Sequence, residues 1–360
     1  MRTSAQTAGH ERQACALLSS QVMAILLSTS PRARASRVLP LLPLALVVAF
    51  CGGNPAIRTT AEDPTRIEAR QLWMEPRDLE SRDLFHGPGG PALAPDPSTP
   101  YQFVDVDDTG FSPGYDVRDS RGIEWGVKLG IEAQPEVVSS RVLWAIGYHQ
   151  PPTYLLTTWQ LTGRQSGAQG MARFRPEWPD RKVVADWSWH ENPFVTTQPF
   201  KGLIVVNLLL NNWDWKTSNN KVYQARNEDS GPHRLYIVRD LGASLGRTTF
   251  PRFLSWTPFR FGTQGTRNDI GGFERQPFIK GVDGRRVRFD YRGTNGRLVD
   301  TVTVDDVLWT CRLMSRISDR QWRDVFRAAG YAEADQQRYI TKLKSKMQEG
   351  LALASIVPKT

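Results

Sequence analysis

Lys128, Glu136, Asp214, Asn219 and Asp240 follow one another along the chain, and they are the side-chain types that phosphoryl transfer uses. A lysine neutralises the α- and β-phosphates of a nucleotide, and a carboxylate on a neighbouring helix holds that lysine. An aspartate orients the attacking hydroxyl. An asparagine and a second aspartate carry Mg²⁺, which offsets charge on the transferring phosphate. Mg²⁺ is a hard cation that takes oxygen ligands, so Asn219 and Asp240 have suitable chemistry. Asn219 follows Asp214 by five residues inside LLLNNWDWKTSNN, Leu208 to Asn220. There an apolar run breaks into Asn and Asp, which compete with helix by bonding their own backbone. The segment therefore reads as a tight polar loop.

Each of these residues falls on an element able to hold it. YQFVDVD, from Tyr101, alternates as a strand does, and DTGFSPG is a turn. YDVRD and IEWGVKL read as two strands joined at Ser120–Gly122, the second carrying Lys128. QPEVVSSRVLWAIGY reads as a helix with Pro135 at its first position and Gly147 at its end. Val138, Val142, Ala145 and Ile146 share one face of it, and Glu136 lies near its start. PPTYLLTTWQL gives another strand. PFKGLIVVNLLLNNWD is apolar almost all round, so it is a buried helix leading into the Asp214 loop. HRLYIVRDLG is a strand that delivers Asp240. From Val304 onward the chain is mainly helical, with a capping box at Ser318–Gln321, a stop at Gly330 and a final amphipathic helix with a basic face. Strands first, one helix among them, then a helical half: the order predicts a two-lobed α+β protein.

These motifs resemble those of the protein-kinase-like superfamily. DWKTSN resembles the catalytic loop, with an Asp, a Lys two residues on and an Asn five residues on; DLG resembles the metal motif; VKL resembles the strand with the ATP lysine. The resemblance covers Tyr101 to Leu351. It is nearest to an atypical branch, the HipA-like and lipid-kinase-like members, and to uncharacterised bacterial lipoproteins with PEVVxSRxxWAxGY and NNWDxKxxNN patterns. It implies a small β-rich N-lobe, about 101–160, and a mostly helical C-lobe, about 161–360, with ATP and Mg²⁺ between them. Lys128 then contacts phosphates and Glu136 orients it. Asp214 orients or deprotonates an unspecified acceptor, Lys216 touches the γ-phosphate, and Asn219 and Asp240 hold Mg²⁺. In place of a glycine-rich G-x-G-x-x-G loop stands DTGFSPG, whose Thr109, Gly110 and Ser112 can offer backbone N–H groups and hydroxyls to phosphate. Asn212-Trp213 stands where kinases have His-Arg, and no activation-loop ending follows Asp240. Glu132 competes with Glu136 as the lysine's partner, but it precedes Pro135 and is expected outside the helix. Two readings stay open: an active phosphotransferase, or a catalytically inactive nucleotide- or protein-binding module.

Other patterns point elsewhere. GASLG, Gly242 to Gly246, matches the nucleophile elbow of serine hydrolases, with Ser244 as nucleophile. No helix pattern and no histidine follow it, so the usual order of triad residues fails. Asp305 and Asp306 suit a helix N-terminus better than paired acid–base work. Trp187, Trp189, Trp213 and Trp215 are expected in the core rather than stacked on a ligand.

Formal net charge is +9. Five arginines and one acid precede Cys51, which leaves 41 basic against 36 acidic residues, or +5, for the rest. The charges are interspersed, so no nucleic-acid partner is expected. Cys15, Cys51 and Cys311 are too few and too distant for a disulfide framework or zinc site. Arg32, Arg34 and Arg37 precede VLPLLPLALVVAF and then Cys51-Gly52-Gly53, a basic region and a short apolar stretch like an export signal. The sequence predicts a leader over 1–51 with Cys51 as a lipidation site, though Phe50 stands where a small residue is preferred and Met23 is a second candidate start. The expected location is the periplasm or cell envelope, membrane-anchored through a lipid or the signal. A Pro/Gly-rich linker is expected over 52–100, and a globular domain over 101–360.

Overall fold

The computed structural model describes residues 69–107, 112–164, 166–178, 180–226, 233–248 and 265–355. It shows a mixed α+β fold, with a β-rich part followed by a mostly helical one.

Seven strands form the main sheet: β1 (Pro100–Asp107), β2 (Gly114–Arg118), β3 (Glu124–Leu129), β4 (Tyr154–Leu156), β5 (Trp159–Thr162), β6 (Gly167–Gln169) and β7 (Ala172–Pro176). Their order is β4-β7-β3-β2-β1-β5-β6. The β1–β5 pair is parallel and the others are antiparallel. Side chains alternate across each strand. On one face Tyr101, Val117, Trp125, Val127, Tyr154, Trp159 and Phe174 make a separate aromatic core. On the other face β3 presents Lys128 and β7 presents Arg173 and Arg175, with Lys128 opposite Arg173 and Gly126 opposite Arg175 in the ladder. The sheet thus continues to Pro176, beyond the lobe boundary expected near residue 160. The strands past β5 are short, and β7 carries two arginines, so the apolar pattern alone does not reveal them.

Helix α1 (Ala133–Ala145) follows β3. Its N-cap is Glu132, so Pro135 lies in the first turn rather than at the first position. The helix is buried almost all round, Ser139, Ser140 and Arg141 included. One apolar face was expected, but neighbours cover the helix on several sides. Gly147, at φ +99°, ends it as glycine can.

Strands β8 (Arg181–Asp186), β9 (Asn220–Ala225) and β10 (Arg234–Val238) form a second antiparallel sheet, and β11 (Ile279–Asp283) with β12 (Arg286–Phe289) a hairpin. The helices of this part are α2 (Gln198–Leu209), α3 (Ile270–Arg275), α4 (Gly296–Val299), α5 (Val304–Met314), α6 (Asp319–Ala328) and α7 (Glu333–Ala352). Thr197 caps α2 by accepting from the Phe200 amide. Asp306 sits in a capping box with Thr303 at the start of α5, and Ser318 and Gln321 form another on α6. Their apolar faces join one large core. Trp187, Trp189 and Trp215 lie in it, and Trp213 is buried as well.

The expected linker needs correction from Ala69 on. Leu72, Leu79 and Leu84 are buried in the large core, and Tyr154 donates to the Gly90 carbonyl. Short 3₁₀ turns at Ala69–Gln71, Leu79–Ser81 and Gly87–Gly89 let this proline- and glycine-rich strap follow the body. The leader and Cys51 lie outside the described residues. Among the described residues no helix is long and apolar enough to cross a membrane.

Candidate active site

Lys128 is the centre of the site. Its Nζ lies 2.7 Å from Asp240 Oδ1, 3.1 Å from Glu136 Oε2 and 3.6 Å from Glu132 Oε2. Its side chain is 14 % exposed. Burial opposes the ammonium charge, but Glu136 and Asp240 more than offset this and raise its pKa.

Glu136, in the first turn of α1, is fully buried and faces three cations. Arg173 Nε lies 3.1 Å from its Oε1, and Arg175 also pairs with that oxygen. Burial alone would raise the carboxyl pKa; Arg173, Lys128 and Arg175 instead lower it to about 2. Glu132 stands outside the helix, as expected, yet it is not idle. It accepts from Ser112 Oγ at 3.0 Å and from Arg267 Nε at 2.6 Å. A Cβ on Gly242 would come within 2.5 Å of the Glu132 Cβ, so the DLG turn packs directly on it. Of the three residues expected in a phosphate loop, Ser112 is therefore engaged with Glu132; Thr109 and Gly110 lie outside the described residues.

The loop after α2 is built by its asparagines. Asn211 adopts φ +54°, which asparagine tolerates, and reverses the chain at the helix end. Its Nδ2 donates to the Gly246 carbonyl and its Oδ1 accepts from Lys346 Nζ, at 2.7 and 2.8 Å. Asn212 Oδ1 accepts from the Asp214 amide, 3.2 Å away. Trp213 donates its amide to the Ala243 carbonyl and its indole to the Thr266 carbonyl. Asn219 Nδ2 donates back to the Asp214 carbonyl at 2.8 Å, closing the loop.

The same loop holds the Asp240 segment. The Asn219 carbonyl accepts from the amides of Arg239 and Asp240, at 2.9 and 3.4 Å. Asn219 and Asp240, the two residues expected to bind metal, thus stand on directly bonded backbone. Asp240 keeps a half-exposed carboxylate. Asp214 is largely buried; its Oδ2 takes Lys216 Nζ at 2.9 Å, while its Oδ1 is buried with no hydrogen-bond partner. Lys216 is otherwise exposed.

Ser244 is not a nucleophile. It is fully buried, donating to the Leu241 carbonyl and sharing a hydrogen bond with Ser139 Oγ. The residues Gly242–Thr248 that follow Leu241 form bends, not the helix an elbow requires. Among the described residues no cluster of three His, Cys, Asp or Glu side chains forms a metal site by itself.

Sequence reasoning missed Arg173, Arg175 and Arg267. The first two were legible in part, since in ARFRP they alternate about a core phenylalanine and must share one strand face. Nothing local indicates that this face meets Glu136. Arg267 lies over the Trp213 ring, 4.6 Å from its centre, beside its bond to Glu132.

No family model matches the chain, and no curated protein does. Among solved structures it is similar to the Helicobacter pylori proinflammatory kinase CtkA, at 13% identity and a TM-score of 0.44, over 73% of this chain and 100% of that one. A Golgi casein kinase aligns at 9% identity and a TM-score of 0.38, over 84% of this chain and 89% of that one. Both scores fall below 0.5, so the functional reading rests on the side chains described above.

Proposed function

We propose that the chain is an ATP- and Mg²⁺-dependent phosphotransferase with a kinase-like, two-lobed architecture. The carrying observation is the convergence of four segments: Lys128 of β3 on Glu136 of α1 and on the distant Asp240, with Asp240 joined by backbone to Asn219.

The donor chemistry suits the cofactor. Asn219 and Asp240 offer amide and carboxylate oxygens, which a hard cation prefers, and the unpartnered Asp214 Oδ1 lies in the same loop. Bound Mg²⁺ supplies neutralisation of the transferring phosphate. Lys128 then exchanges its contact with Asp240 for nucleotide phosphate. Glu136 keeps the ammonium oriented during that exchange, because two arginines fix its carboxylate. Asp214 orients the acceptor hydroxyl and takes its proton. Lys216, beside it, extends toward the terminal phosphate.

A thermal-shift series with ATP, with and without Mg²⁺, tests this. A ligand at one hundred times its dissociation constant adds about 2.7 kcal/mol, and the gain is expected only when Mg²⁺ is present. Should Asp240→Ala shift as far as wild type, the metal assignment is wrong. Asp214→Ala is expected to lower γ-phosphate turnover by roughly 10²–10⁴-fold. Binding without turnover in wild type would mark a binding module instead.

We also propose that the chain is exported and lipid-anchored through Cys51. Radiolabelled palmitate should enter the wild-type chain and not Cys51→Ser; equal labelling of both sinks the assignment.

A further inference from the structure

The peptide unit between Arg239 and Asp240 is held at both ends. Its N–H faces the Asn219 carbonyl at 3.4 Å, and its carbonyl accepts from Arg175 Nη2 at 3.1 Å. The same Nη2 donates to Glu136. Arg175 sits on β7, in the sheet that also carries Lys128, and its side chain is 9 % exposed. Burying a guanidinium is costly. Burial and the neighbouring Arg173 lower its pKa to about 9, with Glu136 acting in the opposite sense. Phe174, between the two arginines, already fills the aromatic core on the opposite face of the sheet. A side chain wanted only for packing would not bring a charge here.

We propose that Arg175 is the positioning residue of this site: it binds Glu136 and the peptide before Asp240 through one nitrogen, and so sets where the Asp240 carboxylate stands relative to Lys128. For its catalytic consequence this rests on the phosphotransfer reading. Arg175 touches no substrate; it acts through the backbone. A guanidinium is planar and presents its donors in fixed directions, whereas a lysine ammonium at the end of a flexible stem does not. Arg175→Lys therefore keeps the charge and loses the geometry.

Two measurements on the full chain separate the possibilities. The first is amide hydrogen exchange over Arg239–Gly242 without ligand, in wild type, Arg175→Lys and Arg175→Gln. Exchange at Asp240 is expected to be roughly tenfold faster in both variants, while Trp213 and Leu245, bonded to other partners, stay unchanged. If exchange at Asp240 matches wild type in both, the positioning role is overturned. If all segments speed up together, the residue is merely structural and the proposal also falls. The second is steady-state kinetics with ATP. Arg175→Lys is expected to lower kcat roughly 10- to 100-fold and to raise the Mg²⁺ concentration required, with the KM for ATP at saturating Mg²⁺ unchanged. A rise in the KM for ATP at unchanged kcat would overturn the role. If wild type neither binds nor turns over ATP, the phosphotransfer reading fails, and the exchange experiment still decides whether Arg175 positions Asp240.

Discussion

At the scale of single residues, the site is a set of charges that restrain one another. Glu132 shows how closely they are fitted: it meets Ser112, Lys128 and Arg267 with its carboxylate and Gly242 with its Cβ. Gly242→Ala would place a methyl group 2.5 Å from that Cβ and 3.1 Å from the Glu132 carbonyl oxygen, so one of the two segments must shift. Overpacking of this kind costs about 1–3 kcal/mol, so urea unfolding should show a lowered midpoint. A midpoint equal to wild type would mean that the DLG turn does not rest on Glu132. The sequence put Lys128 on a strand, Asp214 and Asn219 in a polar loop and Asp240 after a strand. What singled them out was their match to the parts of phosphoryl transfer and the motif resemblance, and the fold brings Lys128 to Glu136 and Asp240. The arginines were not singled out, because a charged residue on a strand reads equally well as a solvated edge. Only the fold shows which face of β7 is turned inward.

At the scale of elements, the loop after α2 is secured from the far end of the domain. Lys346, on α7, is buried; its ammonium donates to the Leu209 carbonyl at the end of α2 and to Asn211 Oδ1, and lies 4.2 Å from the Phe273 ring centre. A cation at a helix C-terminus is well placed, but burial and the nearby Lys342 lower its pKa well below 10.5. In the folded chain the charged form is disfavoured, so the penalty applies at pH values below the folded pKa. It fades as pH rises from there toward 10.5. Lys346→Met removes the titration while keeping an apolar stem. The stability of wild type relative to Lys346→Met should therefore grow as pH is raised toward 10.5. A difference that stays flat, measured by denaturant unfolding at several pH values, refutes this. Sequence periodicity revealed α2 and α7 but not their contact, since a lysine on a basic amphipathic helix ordinarily faces water. Strand β8 escaped for a related reason: it is mostly exposed, so it lacks the buried alternation by which strands are read.

At the scale of the whole molecule, the fold class was readable from element order, whereas the extent of the body was not. The strap before β1 is rich in proline and glycine, which suits a linker, yet its sparse leucines are long-range anchors. Leu79 is fully buried, and the Gln321 side chain of α6 donates to its carbonyl. Leu79→Ala is expected to cost about 2–5 kcal/mol, seen as a lower unfolding midpoint. A cost below 0.5 kcal/mol would return the strap to the status of a tether. Lys346 carries a different consequence, one of timing. Ribosomes make a chain from its N-terminus, and domains fold as their parts emerge. Lys128, Asp214 and Asp240 are all synthesised before Lys346, yet Asn211 Oδ1 and the Leu209 carbonyl lack the ammonium that donates to them until Lys346 arrives. A nascent or prematurely ended chain would hold Lys128, Glu136, Asp214, Asn219 and Asp240 and still lack the ammonium that fastens the end of α2 and the Asn211 turn.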